Sequence, residues 1–309
     1  MIGVILARKY SLGIIWRIFA RLTPPSDQAI LVIRQGEIQM NYLFSNLDKV
    51  QNVVFTDPFG LILDVDGTIA EIAPTAEAVR VTPKCKKHLR SLVKRLLLVA
   101  AISGRLAIVA KRLVGVDGVI YYGNHGLERC FKGQVEVRPS VQGYIEKTSD
   151  AVKELSPVLL PLGVVFEDKG AGLVFHYRTL PNREGVRETI LKEIGRSSAA
   201  QWFRVDQARA VIELRPPLEV SKGSVVKELI ESYHLKAAVY MGDDVSDIDA
   251  FDTIHALSRS TIFQGLAIGV VGKETPPQVA ERADLLLRGV SEVEAFLGWL
   301  DKTIPHKLH

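Results

Sequence analysis

The stretch "GLILDVDGTIAEIAP", residues 60–74, decides the fold. It runs an apolar strand into two aspartates, Asp64 and Asp66, and then into Gly67 and Thr68. Two carboxylates at the open end of a buried strand repel one another, so something must offset them. At positions i and i+2 both reach forward only if the strand ends and the backbone turns at once, which Gly67 permits.

Outward from that stretch the chain alternates short apolar runs with longer amphipathic ones, the pattern of a parallel sheet covered by helices. Strands are predicted at 60–64, 96–102, 118–123, 237–242 and 265–271. "TPKCKKHLRSLVKRL" and "SKGSVVKELIESYHL" read as helices, the first capped by Thr82 with Pro83 in its first turn. Between the third and fourth strands, residues 128–138, 163–168, 171–178, 202–206 and 209–215 read as strands, and 141–156 and 181–195 as helices. The expected fold class is α/β: a Rossmann-like parallel core over 56–123 and 217–309, with an inserted α+β cap over 124–216. Pro216 and Pro217 mark its exit hinge.

The totals agree. The 309 residues suffice for two domains, or for one with a large insertion, and 47% hydrophobic with 24% charged residues excludes a disordered or fibrous chain. A net charge of +4 makes no case for a nucleic-acid partner. With only Cys85 and Cys130 there is neither a disulfide framework nor a cysteine metal site, which fits the cytoplasm. Residues 1–55 form an extension of unassigned role. Its first 26 residues carry Arg8, Lys9, Arg17 and Arg21 and no acid, and these charges interrupt any bilayer-spanning run. Leu12, Ile15, Ile18, Phe19 and Leu22 fall at helical spacing, so peripheral membrane contact through residues 1–22 stands as a minor reading beside a packing helix or a tail.

In open parallel sheets, ligands sit beyond the carboxyl ends of the strands. Those ends here carry Asp64, Asp66 and Thr68; then Ser103, Gly104 and Arg105; then Asp243, Asp244 and Asp247, with Lys222 opening the helix before the fourth strand. Five aspartates in one cleft call for a hard cation, and oxygen ligands without His or Cys point to Mg²⁺. A carboxylate attacks phosphorus to form an aspartyl phosphate, and a second carboxyl group protonates the leaving oxygen and later activates water. Asp64 is expected to be the nucleophile and Asp66 the acid/base. Ser103 and Lys222 are expected to hold phosphoryl oxygens, with Thr68, Gly104 and Arg105 as further substrate contacts.

"DVDGT", "SGR", Lys222 and "GDDVSD" resemble, in order and spacing, the four motifs of the haloacid dehalogenase-like phosphohydrolases. The resemblance implies a metal held by the Asp64 carboxylate, the Asp66 carbonyl and Asp243, with Asp244 and Asp247 acting through water or neighbouring groups. It also implies phosphate chemistry, because members that dehalogenate carbon lack the second aspartate. The insertion presents Glu167, Lys169, His176 and Arg178 in "EDKGAGLVFHYR" and Glu213 and Arg215 in "VIELRP", a polar set suited to sugar hydroxyls. These stretches, with "GNHGLE" at 123–128, are similar to those of trehalose-6-phosphate phosphatases from about Gly60 to about Leu300. The resemblance implies that Glu167, Lys169 and Glu213 hold the distal sugar, with Arg178 and His125 as further candidates. Ile248 replaces the family's usual acid after Asp247.

The expected function is Mg²⁺-dependent hydrolysis of trehalose 6-phosphate. The alternatives are a phosphatase for sucrose phosphate or mannosylglycerate phosphate, a sugar phosphomutase, and a non-catalytic sugar-phosphate-binding partner of a trehalose-phosphate synthase. His176 alone reads as a half-buried strand residue, and Gly170 and Gly172 as a turn.

Overall fold

The computed structural model describes residues 41–73, 78–208, 210–260 and 262–305. The segment read for membrane contact lies outside them. Among the described residues, no helix is long and apolar enough to cross a membrane.

An eight-stranded sheet forms the larger unit, in spatial order β12-β11-β10-β1-β2-β3-β4-β5. Its parallel part comprises β1 (Phe59–Leu63), β2 (Leu98–Ile102), β3 (Ile120–Gly123), β10 (Ala237–Gly242), β11 (Gln264–Val271) and β12 (Leu285–Arg288). All five residues of β1 are buried, because each sheet face has its own core. Leu61, Leu63, Val239 and Met241 join one apolar cluster, while Ile62, Ala238 and Tyr240 join the other. This is the alternation a two-sided strand requires. On the first side lie α1 (Leu47–Val54), α2 (Pro83–Leu92), α3 (Ala107–Val114) and α9 (Gly289–Thr303); on the second, α6 (Lys222–Ser232), α7 (Val245–Ser260) and α8 (Pro277–Arg282). Thr82 caps α2 as expected, its hydroxyl accepting from the Cys85 amide at 3.1 Å.

The chain builds outward from β1 through β2 and β3, then returns to the other side of β1 with β10, β11 and β12. The order therefore reverses between β1 and β10, and a crevice opens there beyond the strand ends.

Three features differ from the sequence reading. Residues 128–138, expected as one strand among those of the insertion, split into β4 (Glu128–Phe131) and β5 (Gln134–Val137), antiparallel strands that extend the large sheet. The turn is Lys132-Gly133, at φ 50° and 86°, the two-residue geometry that matches strand twist. Second, β12 is an additional parallel strand; its "LLLR" is too short to separate from a helical run by periodicity. Third, the extension is tied to the core from residue 41 on: Leu43, Val50, Val53 and Val54 are buried, and Tyr42 bridges to Leu286.

The second sheet is antiparallel, in order β6-β7-β9-β8 (Val165–Asp168, Leu173–His176, Val211–Arg215, Arg204–Ala208). One face, with Leu173, Phe175, Ile212 and Leu214, packs on α4 (Gln142–Leu159) and α5 (Arg183–Arg196). The opposite face is polar. Glu167 stands opposite Val174, Val174 opposite Glu213, and Glu213 opposite Asp206, so the three acids share a row.

Candidate active site

The site is assembled at the reversal point. Asp64 follows β1 directly, its amide donating to the Met241 carbonyl of β10 at 2.8 Å, which aims the buried carboxylate into the crevice. The chain then turns at Gly67, where φ is 81°. A Cβ there would fall 2.0 Å from Asp243 Oδ2, so the glycine answers both a backbone conformation and the approach of the facing acid. At the end of β2, Ser103 is buried, and its hydroxyl accepts from the Arg105 amide at 3.1 Å. Arg105 grips Asp66 with two parallel bonds of 2.8 and 2.7 Å.

Lys222 is the first residue of α6, held there by the reciprocal Ser221–Ser224 capping box. Its buried ammonium donates to Asp64 Oδ1 and Asp247 Oδ1, both at 2.7 Å. Asp247, 0% exposed, also accepts from Tyr240 Oη at 2.5 Å and from the amides of Asp243 (3.1 Å) and Asp244 (2.9 Å). Four hydrogen bonds thus converge on this one carboxylate. Gly242 leaves the room, since a Cβ there would lie 2.2 Å from Asp247 Cγ.

Carboxylate oxygens of Asp64, Asp243 and Asp247 lie within 4.8 Å of one another. Burial pushes the Asp64 carboxyl well above the usual range, with Asp247 and Asp243 adding to it and Lys222 opposing. Burial, then Asp247, raises Asp243 to about 7. Burial works against the Lys222 charge, but Asp247 and Asp64 outweigh it and hold the ammonium above its ordinary value. Asp243 Oδ1 and Thr68 Oγ1 are buried and find no hydrogen-bond partner among the described residues. Hard oxygen donors, mutual repulsion and an orphaned carboxylate oxygen fit a divalent cation.

The second sheet reaches the same loops. Lys169 Nζ donates to the Gly104 carbonyl at 3.0 Å and to Glu213 Oε1 at 3.1 Å, joining the second sheet to the loop after β2. Gly170, at φ 76°, serves the tight turn that carries Lys169, as expected. Glu167 pairs with His176 at 2.8 Å, which lowers the Glu167 pKa and gives His176 a partner in the polar face. His125 lies against Gly104, where a Cβ would sit 2.9 Å from its Nε2. Asp244 is exposed at the mouth of the crevice. Arg178 is exposed two residues beyond the end of β7, past His176, and makes no hydrogen bond or ion pair to the other candidates among the described residues.

Tyr240 and Arg204 escape the sequence reading. Tyr240 is masked by its place in an apolar strand; the alternation Arg204, Asp206 in "RVDQA" was the available signal for the second.

A parallel sheet with acids at its reversal point and a small antiparallel sheet beside it is the architecture of the haloacid dehalogenase-like phosphohydrolases. The family model for trehalose-phosphatase matches residues 62–290, and the chain belongs to that family. A trehalose-phosphate phosphatase of Mycobacterium tuberculosis is 30% identical over 287 residues, covering 87% of this chain and 72% of the relative. That of Mycobacterium leprae is 29% identical over 304 residues, covering 88% and 68%. Among solved structures, the C-terminal domain of Candida albicans trehalose-6-phosphate phosphatase superposes with TM-score 0.64 at 20% identity, covering 83% of this chain and 95% of that one.

Proposed function

We propose that this protein hydrolyses trehalose 6-phosphate to trehalose and phosphate, with Mg²⁺ as its cation. The observation that carries the reading is the convergence of Asp64, Ser103, Lys222 and Asp243 on one crevice, with Lys169 of the second sheet bonded to its rim. Of the insertion expected over 124–216, the part after β5, residues 138–216, acts as the lid, while β4 and β5 belong to the core with 56–123 and 217–309; the protein works in the cytoplasm, consistent with two free, buried thiols.

Asp64 Oδ attacks phosphorus as the bond from phosphorus to the sugar 6-oxygen breaks, and Asp66 gives that oxygen its proton. Water then adds to the aspartyl phosphate, Asp66 takes the water's proton, and phosphate leaves Asp64. Arg105, which in this state holds both Asp66 oxygens, releases one of them for the proton transfers, while Ser103 and Lys222 hold the phosphoryl oxygens. Asp64, Asp243 and the Asp66 carbonyl hold the cation, which when bound neutralises charge on the phosphoryl group. Asp247 serves this centre indirectly, since both of its oxygens are committed to Lys222, Tyr240 and the loop amides. Asp244 acts through water.

Phosphate release measured across a panel of sugar phosphates, with and without chelator, tests the reading. Turnover of trehalose 6-phosphate should lead the panel and disappear with the metal. Metal binding has its own readout in thermal unfolding. Mg²⁺ at 100 times its Kd should stabilise the fold by about 2.7 kcal/mol. At one fixed Mg²⁺ concentration the gain should be larger at pH 8 than at pH 5, because protons compete for Asp243, whose pKa is about 7, and raise the Kd. A gain independent of pH would remove Asp243 from the ligand set.

Replacing Lys169 or Glu213 with alanine should lower kcat/KM on trehalose 6-phosphate about 10- to 100-fold more than on 4-nitrophenyl phosphate. Equal losses on the two substrates would contradict a sugar-reading lid.

A further inference from the structure

A cavity of about 230 Å³ opens between the second sheet and the core, and Lys222 forms part of its wall. Arg204 and Arg215 line it from the sheet, His125, Ser246 and Asp249 from the core, and Glu219 from the connection between them. Arg204 and Arg215 are register partners on neighbouring strands, so their side chains rise from the same face. Asp206 fixes both guanidinium groups: Arg204 Nε lies 2.9 Å from its Oδ1, and Arg215 Nη1 donates to its Oδ2 at 3.4 Å.

One donor is left over. Arg215 Nε is buried and meets no acceptor among the described residues. A buried charged donor without a partner is costly, and a ligand oxygen in the cavity relieves that cost. The wall chemistry limits what the ligand is. Glu219 and Asp249 repel a second phosphate, and only Leu218 and Val220 offer apolar contact. Guanidinium donors, carboxylate and hydroxyl acceptors on one small cavity suit adjacent hydroxyl groups, each of which donates and accepts. Burial, reinforced by Arg215 and Lys222, holds the His125 pKa well below its usual value, so its neutral ring offers one donor and one acceptor.

We infer that this cavity seats a hexose ring of the leaving sugar, with Arg204 and Arg215 donating to its hydroxyl groups and Asp249 accepting from them. The inference rests on the sugar-phosphatase reading above and adds specificity residues to it: the polar face reads sugar along its whole width, from Lys169 across to Arg204.

The test compares Arg204→Gln and Arg215→Gln with wild type on trehalose 6-phosphate and on 4-nitrophenyl phosphate. The ratio of the two kcat/KM values should fall about 10- to 100-fold in each variant, as expected for losing a hydrogen bond from a charged donor, and mainly through KM. Arg204 is on the edge strand and half exposed, so its variant keeps the test valid even where Arg215→Gln unfolds. Titration of trehalose into Asp64→Asn protein should show weakened binding when Arg204→Gln is added. Equal losses on both substrates, or an unchanged ratio, would overturn the inference and leave the phosphatase reading intact. Wild-type protein that cleaves the aryl ester but not trehalose 6-phosphate would overturn both readings before any variant is made.

Discussion

Asp64→Asn should abolish phosphate release, with kcat falling by at least about 10⁴-fold, and should also raise the melting temperature of the metal-free protein at pH 8. The loss follows because an amide cannot form the acyl phosphate. The gain follows from burial: the Asp64 carboxyl is pushed well above its usual pKa, so its charge is disfavoured in the folded chain. The sign is fixed by linkage. The unfolded carboxyl titrates near ~3.9, so above that pH the native state binds more protons, and stability drains away as pH rises toward the folded pKa. Asparagine removes that drain. The amide oxygen still accepts from Lys222, so the fold persists. The variant's advantage should shrink at pH 5 and vanish against wild type saturated with Mg²⁺. Normal turnover would refute Asp64 as nucleophile. A lowered melting temperature at pH 8 without metal would show that the acids are compensated in some other way.

Lys222→Met should cost about 3–5 kcal/mol of unfolding free energy at pH 8, because it strands two buried carboxylates without their shared cation. The methionine stem keeps the volume, so the change isolates the charge. The native lysine stays ionised throughout pH 5–8, held up by Asp247 and Asp64, and the pH dependence comes from the acids it leaves behind. The Asp64 carboxyl, already pushed well above its usual range by burial, rises further without it, so urea denaturation should show a smaller penalty at pH 5 than at pH 8. Phosphate release should also fall steeply. A penalty under about 1 kcal/mol would mean that water, and not protein, surrounds these groups.

The two variants move stability in opposite directions although the residues touch at 2.7 Å. Asp64 is kept for chemistry at a cost to the fold, while Lys222 serves both. Such opposition is characteristic of a reaction centre whose charges are set for a cation and an anionic ligand.

How much of this was legible in the chain depends on whether the signal was local. The β1 run and the acids after it were, because a strand buried on both faces reads as a continuous apolar stretch and any charge after it must lie at its tip. Thr82 and the Lys169 turn were legible for the same reason: a cap and a tight turn are written in adjacent residues. Asp247 was legible as an acid of this site acting through its neighbours, but the identity of those neighbours was not: its oxygens are engaged by Tyr240 from inside a strand and by Lys222 from another helix. Such partners are set by packing alone. The hairpin of β4 and β5 reads in the sequence as one strand, because Lys132 at φ 50° is not a turn residue by type and hides half of the turn. Helix α1 carries little local signal, because its apolar stripe of Val50, Val53 and Val54 is short. Arg204 was overlooked because an arginine on an edge strand is usually solvated, and only the folded face shows it turned toward a cavity.

The grip of Lys169 on the Gly104 carbonyl has one more implication. Any saccharide that recruits this ammonium competes with a backbone oxygen of the very segment that presents Ser103 and Arg105. On the proposed reading, recognition of the carbohydrate and alignment of the phosphoryl pocket would be mechanically geared, and selection for a new sugar would be felt at the scissile bond.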